Sequence, residues 1–402
     1  MTPSLISDAE ALSCADAGAD EIRSLMGRAA SLRDAAWGRR LTYSPKVFLP
    51  VTNLCRNRCE YCAFRRSPGD DGEWTMSPRD IDAALTLARR QGCVEALLCL
   101  GDTPETAFAG YRRTLASFGH ERTVDYLEWA CRRALEIGLL PHTNAGLLSR
   151  ADMERLKVVN VSLGLMLENV SLRLCQKGLP HHRAPDKRPS LRVRMLREAG
   201  ELRIPFTTGI LIGIGETRRE RIETLLAIRE LHLRFSHVQE VIVQNFTPHA
   251  QTLMATLTEP PPEDMAHAVV MARLILPSDV SVQAPPNLNA DRTALLVDSG
   301  VNDFGGISPV TPDYINPDRP WPNVDALGAV VRTLGYELRP RLPIYDGYVG
   351  RPGFLDPSLL SAVSRAEERI GDSSARSAPR MLAGLSREVG DPPASAHPME
   401  RS

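Results

Sequence analysis

From residue 46 onward the sequence alternates short apolar runs with longer stretches of helical period, and this pattern limits the chain to few folds. A parallel strand is covered by helices on both faces, so it must be apolar along its length. VEALLCL (residues 94–100) and TTGILIGIG (207–215) are runs of that kind. Strands are expected at 46–53, 94–100, 140–145, 159–167, 206–214 and 238–246, with weaker ones at 280–284 and 302–307. Helices are expected between them at 77–92, 124–138, 150–157, 190–202, 218–234 and 265–276. The first starts at Ser77-Pro78, with Pro at the first helical position, and puts Ile81, Ala84, Leu85 and Ala88 on one face. Eight such repeats make a (βα)8 TIM-type barrel, and six or seven a partial one. Residues 1–45 read as a helical extension outside the barrel domain of 46–370. Residues 371–402, rich in Ser, Pro, Arg and Ala, are expected to be a disordered tail.

Charge and cysteine usage narrow the class. The 402 residues carry 48 Lys plus Arg against 49 Asp plus Glu, a net charge of −1. No global basic field would hold a nucleic acid or an anionic membrane, so neither partner is expected. No run approaches the length of a membrane span and the first 20 residues lack a signal-peptide pattern, so a cytoplasmic enzyme is the expectation. Eight cysteines are too few for a disulfide scaffold. Yet Cys55, Cys59 and Cys62 form C-x3-C-x2-C, for which roughly 0.003 chance occurrences are expected in a chain of this composition.

Three thiolates on a short loop after a strand can hold three irons of a cubane cluster and leave the fourth open to a ligand. A structural zinc would want four ligands. An electron-transfer cluster would want a fourth cysteine at fixed spacing. The next cysteine is Cys93, in another element, and no His lies between residues 50 and 100. A site-differentiated [4Fe-4S] cluster is the expected occupant. Cys14, Cys93, Cys131 and Cys175 read as small buried hydrophobes. A polar loop, His181-His182 with Asp186-Lys187, is weak evidence for a second metal, because adjacent histidines are usually solvated.

The string Cys55-Arg-Asn-Arg-Cys59-Glu-Tyr61-Cys62, with its aromatic before the third cysteine, resembles the radical S-adenosylmethionine (SAM) superfamily. The resemblance implies that the open iron binds SAM, whose reductive cleavage yields a 5′-deoxyadenosyl radical. It also places SAM contacts. Gly101 and Asp102 sit where the superfamily has a turn against the SAM amino group, although taken alone they read first as a plain Gly-Asp turn at a strand end. Gly213, Gly215 and Glu216 belong to the glycine-rich strand facing adenine, beside which Tyr61 could stack. Glu168 and Arg192 are candidates for the ribose and the SAM carboxylate, or an ordinary surface ion pair. All lie at strand C-terminal ends, where barrel active sites are built.

Longer strings resemble the CofG family, one half of the synthase of the deazaflavin FO: residues 53–65, Pro141-His-Thr-Asn144, 203–217, 239–246, 283–288 and 303–313, within a stretch of about 46–345. The resemblance implies a substrate made by a partner enzyme, CofH, from tyrosine and a ribityl-aminouracil. It also implies a low-potential electron donor such as ferredoxin or flavodoxin. Hydrogen abstraction from this hydroxybenzyl–ribityliminouracil adduct, ring closure and loss of ammonia would give FO. One cysteine triad and 402 residues suit the CofG half alone. His142, Asn144, Gln244 and Asn287 are the expected catalytic or substrate-facing groups, with Asn245, Asn289, Thr311 and Asp313 as further polar partners. His142 reads equally as a core histidine. A CofH-like carbon–carbon bond former is the nearest alternative. A biotin-synthase-like sulfur inserter lacks the barrel cysteines for a second cluster, and a pure electron carrier needs no such barrel.

Overall fold

The computed structural model describes residues 6–375. Its strands are β1 (Arg40–Thr52), β2 (Glu95–Leu100), β3 (Leu140–Asn144), β4 (Ser162–Gly164), β5 (Phe206–Ile212), β6 (Val238–Asn245), β7 (Ser281–Gln283), β8 (Asp303–Ile307) and β9 (Glu337–Pro340). Each pairs in parallel with the next from β2 to β8, and β1 pairs with both β8 and β2, so eight strands close a complete TIM-type barrel. β9 adds to the start of β1, on the edge opposite β8. The two weak strands form, although as short ladders of three and five residues.

Local chemistry sets the element boundaries. Ser77 and Asp80 make a reciprocal capping box at the start of Pro78–Arg90, whose Ile81, Leu85 and Ala88 are fully buried against the barrel. The apolar run 159–167 supplies only three ladder residues in β4. Its backbone bonding continues irregularly, Leu165 N to Thr207 O at 3.0 Å and Glu168 N to Gly209 O at 2.9 Å, and ends at Glu168 with φ +65°. β1 begins at Arg40, inside the expected N-terminal extension, because its first residues pair with β9. The rest of that extension is helical. Ala19–Trp37 lies outside the barrel against helix Pro262–Ile275. The buried Arg33 guanidinium donates to Val301 O at 3.2 Å.

The C-terminal segment closes the other end. Leu342, Ile344, Phe354, Leu359 and Val363 form a small core with Val94, Leu140 and Val161 at the starts of β2, β3 and β4. Arg341 enters the lumen there, donating to Asp303 at 2.6 Å and Glu240 at 2.7 Å. With this floor sealed, the mouth at the strand C-termini is the open end. The last helix, Leu360–Ala375, runs into the segment expected as a tail, and residues 376–402 of that segment lie outside the described residues. Among the described residues no helix is long and apolar enough to cross a membrane.

Candidate active site

β1 ends at Thr52, and the cysteine loop that follows is pinned on both sides. Cys55 N donates to Arg66 O at 3.2 Å and Arg66 N to Asn53 O at 2.7 Å; Arg58 N and Glu60 N reach Arg183 O at 2.9 Å and Pro180 O at 3.0 Å. Gly101, after β2, lies so close that a Cβ there would stand 2.0 Å from Leu54 O and 2.8 Å from Cys55 Cβ, so only glycine fits. The next residue, Asp102, donates its backbone N–H to Cys55 Sγ at 3.2 Å, the kind of bond that stabilises a cluster thiolate. All three thiols are free. Burial, reinforced by Cys62 and Asp102, pushes the Cys55 thiol up to about 12. Burial raises Cys59 as well, against the attraction of Lys187. Among the described residues no three His, Cys, Asp or Glu side chains converge on a single-ion site. Three mutually interacting thiols on one pinned loop, with a backbone donor on one of them, fit a cluster.

Around this loop the expected cofactor contacts are buried and already paired. Glu168 accepts from Tyr61 Oη and Lys187 Nζ, with His181 Nε2 at 3.2 Å. Burial opposes its ionisation, but Lys187 and His181 outweigh that and hold its carboxyl well below the usual range. Arg192 does not pair with Glu168. It donates to Met166 O at 2.8 Å and Asp186 O at 3.2 Å and faces Asp102 Oδ2 at 3.6 Å. Asp102 also accepts from Asn57 Nδ2 at 3.2 Å and Leu147 N at 2.9 Å. Its burial outweighs Arg192 and raises its carboxyl above the ordinary value. Asp186 is held by Arg56 and by Thr103 Oγ1 at 3.1 Å. The surface ion pair read from Glu168 and Arg192 is thus two separate buried networks. Lys187, Asp186, Asn57 and His181 were missed as members. The polar loop 181–187 was visible in the sequence, but its role as a counter-charge to Glu168 and Arg56 depends on the fold.

The glycine-rich end of β5 is shaped first by the protein itself. A Cβ at Gly209 would meet Ile242 O at 2.4 Å, and one at Gly213, whose φ is +92°, would meet Pro260 at 2.8 Å. Gly215, at φ +102°, has open space beside it. Glu216 turns back on this segment. It accepts from Gly213 N at 2.8 Å and Ile214 N at 2.9 Å and pairs with Arg221 at 2.6 Å, so its carboxylate shapes the loop rather than standing free for a ligand.

Across the mouth, at β6 to β8, amides and hydroxyls surround the buried carboxylate of Asp313. Asn287 donates to Asp313 Oδ2 at 2.8 Å and Asn289 to Asn245 Oδ1 at 2.8 Å, yet the Oδ1 atoms of both Asn287 and Asn289 are buried without a partner. Thr247 Oγ1 is orphaned in the same way. Thr311 Oγ1 accepts from Phe48 N at 3.0 Å, which makes it a brace for the loop after β8. Asn144 and Gln244 are half-buried on β3 and β6, with no side-chain hydrogen bond among the described residues. His142 lies lower. Ser162 Oγ donates to Pro343 O at 2.6 Å, so it must accept from His142 Nδ1 at 2.6 Å, leaving His142 Nε2 as a bare acceptor over Gly164.

Residues 49–228 match the radical SAM superfamily. The chain is 45% identical over 332 residues to a 7,8-didemethyl-8-hydroxy-5-deazariboflavin synthase of Methanopyrus kandleri, covering 82% of this chain and 99% of that one. The Methanosarcina mazei protein of the same name is 44% identical, over 82% and 96% of the two chains. An FO synthase of Mycobacterium tuberculosis is 45% identical over 88% of this chain, which spans 44% of that longer protein. Among solved structures, the hydrogenase maturase HydG of Carboxydothermus hydrogenoformans superposes with a TM-score of 0.70 at 20% identity, over 92% and 83% of the two chains. Methylornithine synthase gives 0.66 at 18%, over 84% and 95%. Those two likenesses speak for the barrel alone. The end-to-end identity with the synthases settles the family: this chain belongs to the 7,8-didemethyl-8-hydroxy-5-deazariboflavin synthase family of radical SAM proteins.

Proposed function

We propose that this protein forms the deazaflavin FO from a hydroxybenzyl–ribityliminouracil adduct, releasing ammonia as an ammonia lyase does. The observation that carries this reading is the 45% identity along 99% of a deazariboflavin synthase. Cys55, Cys59 and Cys62 would hold a [4Fe-4S] cluster, with Asp102 N–H on the first sulfur. SAM held beside it would supply the hydrogen-abstracting chemistry of a 5′-deoxyadenosyl radical. Asp102, Arg192, Glu168, Tyr61 and the backbone at Gly101, Gly213 and Gly215 form the SAM side of the mouth. Glu216 holds the backbone of Gly213 and Ile214 in place.

The substrate side is assigned to Asn144, Gln244 and Asn287, with His142 deeper in the lumen. A uracil N–H or a ribityl hydroxyl would donate to the orphaned Asn287 Oδ1. Burial holds the His142 pKa down, at about 4, so at neutral pH the ring is uncharged and its Nε2 accepts a hydrogen bond. A CofH-type enzyme would supply the adduct, and a low-potential ferredoxin or flavodoxin the electron. The test is anaerobic cluster reconstitution followed by SAM, a strong reductant and the adduct. FO fluorescence with 5′-deoxyadenosine is expected. Consumption of tyrosine and ribityl-aminouracil instead would assign the chain to CofH-type chemistry.

A further inference from the structure

Lys46 stands apart from every network described above. It lies on β1 opposite Glu95 of β2, 8% exposed, and among the described residues it has neither a hydrogen bond nor an ion pair. The structure makes room for it: a Cβ at Gly306 on β8 would stand 2.1 Å from Lys46 Cδ and 2.7 Å from Nζ. The ammonium is drawn towards the mouth, 4.9 Å from the ring of Trp321 and 5.5 Å from that of Phe48. Trp321 belongs to the mouth loop, its Nε1 donating to Thr311 O at 2.9 Å.

The charged and titratable groups facing it are Glu95 and Cys99 on β2, Glu240 on β6 and Asp313 on the loop after β8, with His142 on β3. The carboxylates are engaged by others. Glu95 accepts from Ser44, Glu240 from Arg341, and Asp313 from Asn287, Asn316 and two backbone N–H groups. A buried cation whose N–H groups are unclaimed is costly to fold around. The reading proposed above seats the substrate below the cysteine loop, and Lys46 lies on the strand that leads into that loop. Burial also depresses its pKa, with Glu95, Asp313, Cys99 and Glu240 pulling the other way, which brings its ammonium and amine forms closer in energy.

Building on the FO-forming reading, we propose that Lys46 is a catalytic residue that carries the protons of ammonia release. Its ammonium gives a proton to the substrate amine, and the carbon–nitrogen bond breaks with its electron pair on nitrogen. The lysine amine then takes the proton from the adjoining carbon, whose C–H electron pair becomes the new carbon–carbon double bond. Ammonia leaves, Lys46 is an ammonium again, and no electron enters or departs in this step.

The experiment compares reconstituted wild-type, Lys46→Met and Lys46→Arg enzymes given SAM, reductant and adduct, with iron content, 5′-deoxyadenosine, ammonia and FO each measured. In both variants FO and ammonia are expected to fall more than about 100-fold, the scale of general acid–base catalysis. SAM cleavage should fall far less, and a product retaining its amine should accumulate. FO formation at the wild-type rate in Lys46→Met overturns the proposal. So does restoration by Lys46→Arg, which keeps charge but cannot shuttle a proton, or an equal fall of 5′-deoxyadenosine and FO, which would mark a binding role. Should iron content show either variant misfolded, Gly306→Ala displaces the lysine while keeping it, and the same drop in FO per 5′-deoxyadenosine is expected. Wild-type enzyme that makes 5′-deoxyadenosine but no FO would instead defeat the underlying reading.

Discussion

The two halves of the barrel mouth solve opposite problems. On the β2–β5 side every buried charge has its counter-charge in place: Glu168 with Lys187, Asp102 with Arg192, Asp186 with Arg56, Glu216 with Arg221. On the β6–β8 side amides surround Asp313, and polar atoms on Thr247, Asn287 and Asn289 have no partner among the described residues. A charged cofactor such as SAM demands a pre-organised field, since uncompensated charge in a buried site is expensive. A neutral, hydroxyl-rich substrate demands acceptors left open. The difference supports the proposed division of the mouth, with the charge-paired side facing the cofactor and the side with open acceptors facing the substrate.

The sharpest way to break the cofactor half is Cys59→Ala. Iron content should fall and FO formation should vanish, whereas Cys99→Ala, on β2 outside the loop, should keep its iron. Cluster retained in Cys59→Ala would sink the ligand assignment. Next comes Gly101→Ala, whose Cβ would collide with Leu54 O. Overpacking of this kind costs about 1–3 kcal/mol, and the strain should appear as a lower Tm together with weaker cluster retention. A variant that keeps both would show that the loop yields more easily than its backbone bonds suggest.

A smaller effect is expected across the mouth. Asn287→Ala should raise KM for the adduct about 10-fold, the worth of one hydrogen bond, while leaving 5′-deoxyadenosine formation at saturating adduct little changed. If SAM affinity falls instead, the division of the mouth into two halves is wrong.

How much of this was legible in the sequence varies by element. Six strands were readable because parallel strands buried on both faces leave continuous apolar runs, while the short seventh and eighth gave only weaker signals; helix 150–157 was readable because Ser149 caps it and its apolar positions keep helical period. The helix Leu360–Ala375 was not, since its placement rests on covering the starts of β2, β3 and β4, a tertiary demand. At the site, the cysteine trio was visible from spacing alone. The partners of Glu168 were not, because Lys187 follows it by 19 residues and reaches it through a loop whose path no local pattern encodes. Lys46 was hidden for the opposite reason. A lysine at a strand start reads as solvated, and only closure of the barrel, with glycine at 306, turns it inward.

His142 gives the mildest test and separates framework from catalysis. Burial holds its pKa at about 4, below the ordinary 6.5, so below 6.5 the unfolded chain takes up a proton that the folded one refuses. Stability from this residue is therefore full above 6.5, falls as pH drops towards 4, and is level below that. At pH 5 the loss is about 2 kcal/mol, taking 1.36 kcal/mol per pKa unit. His142→Gln can still donate to Ser162 Oγ but cannot titrate, so its Tm should fall less between pH 7 and pH 5 than that of the wild type. His237, also held low by burial, remains in both proteins and cancels from the comparison. An unchanged acid sensitivity would mean that the ring is protonated in the fold. At pH 7 the same variant reads out function. A Gln whose donor is spent on Ser162 can still offer its carbonyl oxygen to the substrate, so KM should rise only a few-fold if His142 Nε2 merely accepts a hydrogen bond. A collapse of FO formation with Tm intact would mean that the imidazole moves a proton, and would place His142 beside Lys46 in the chemistry.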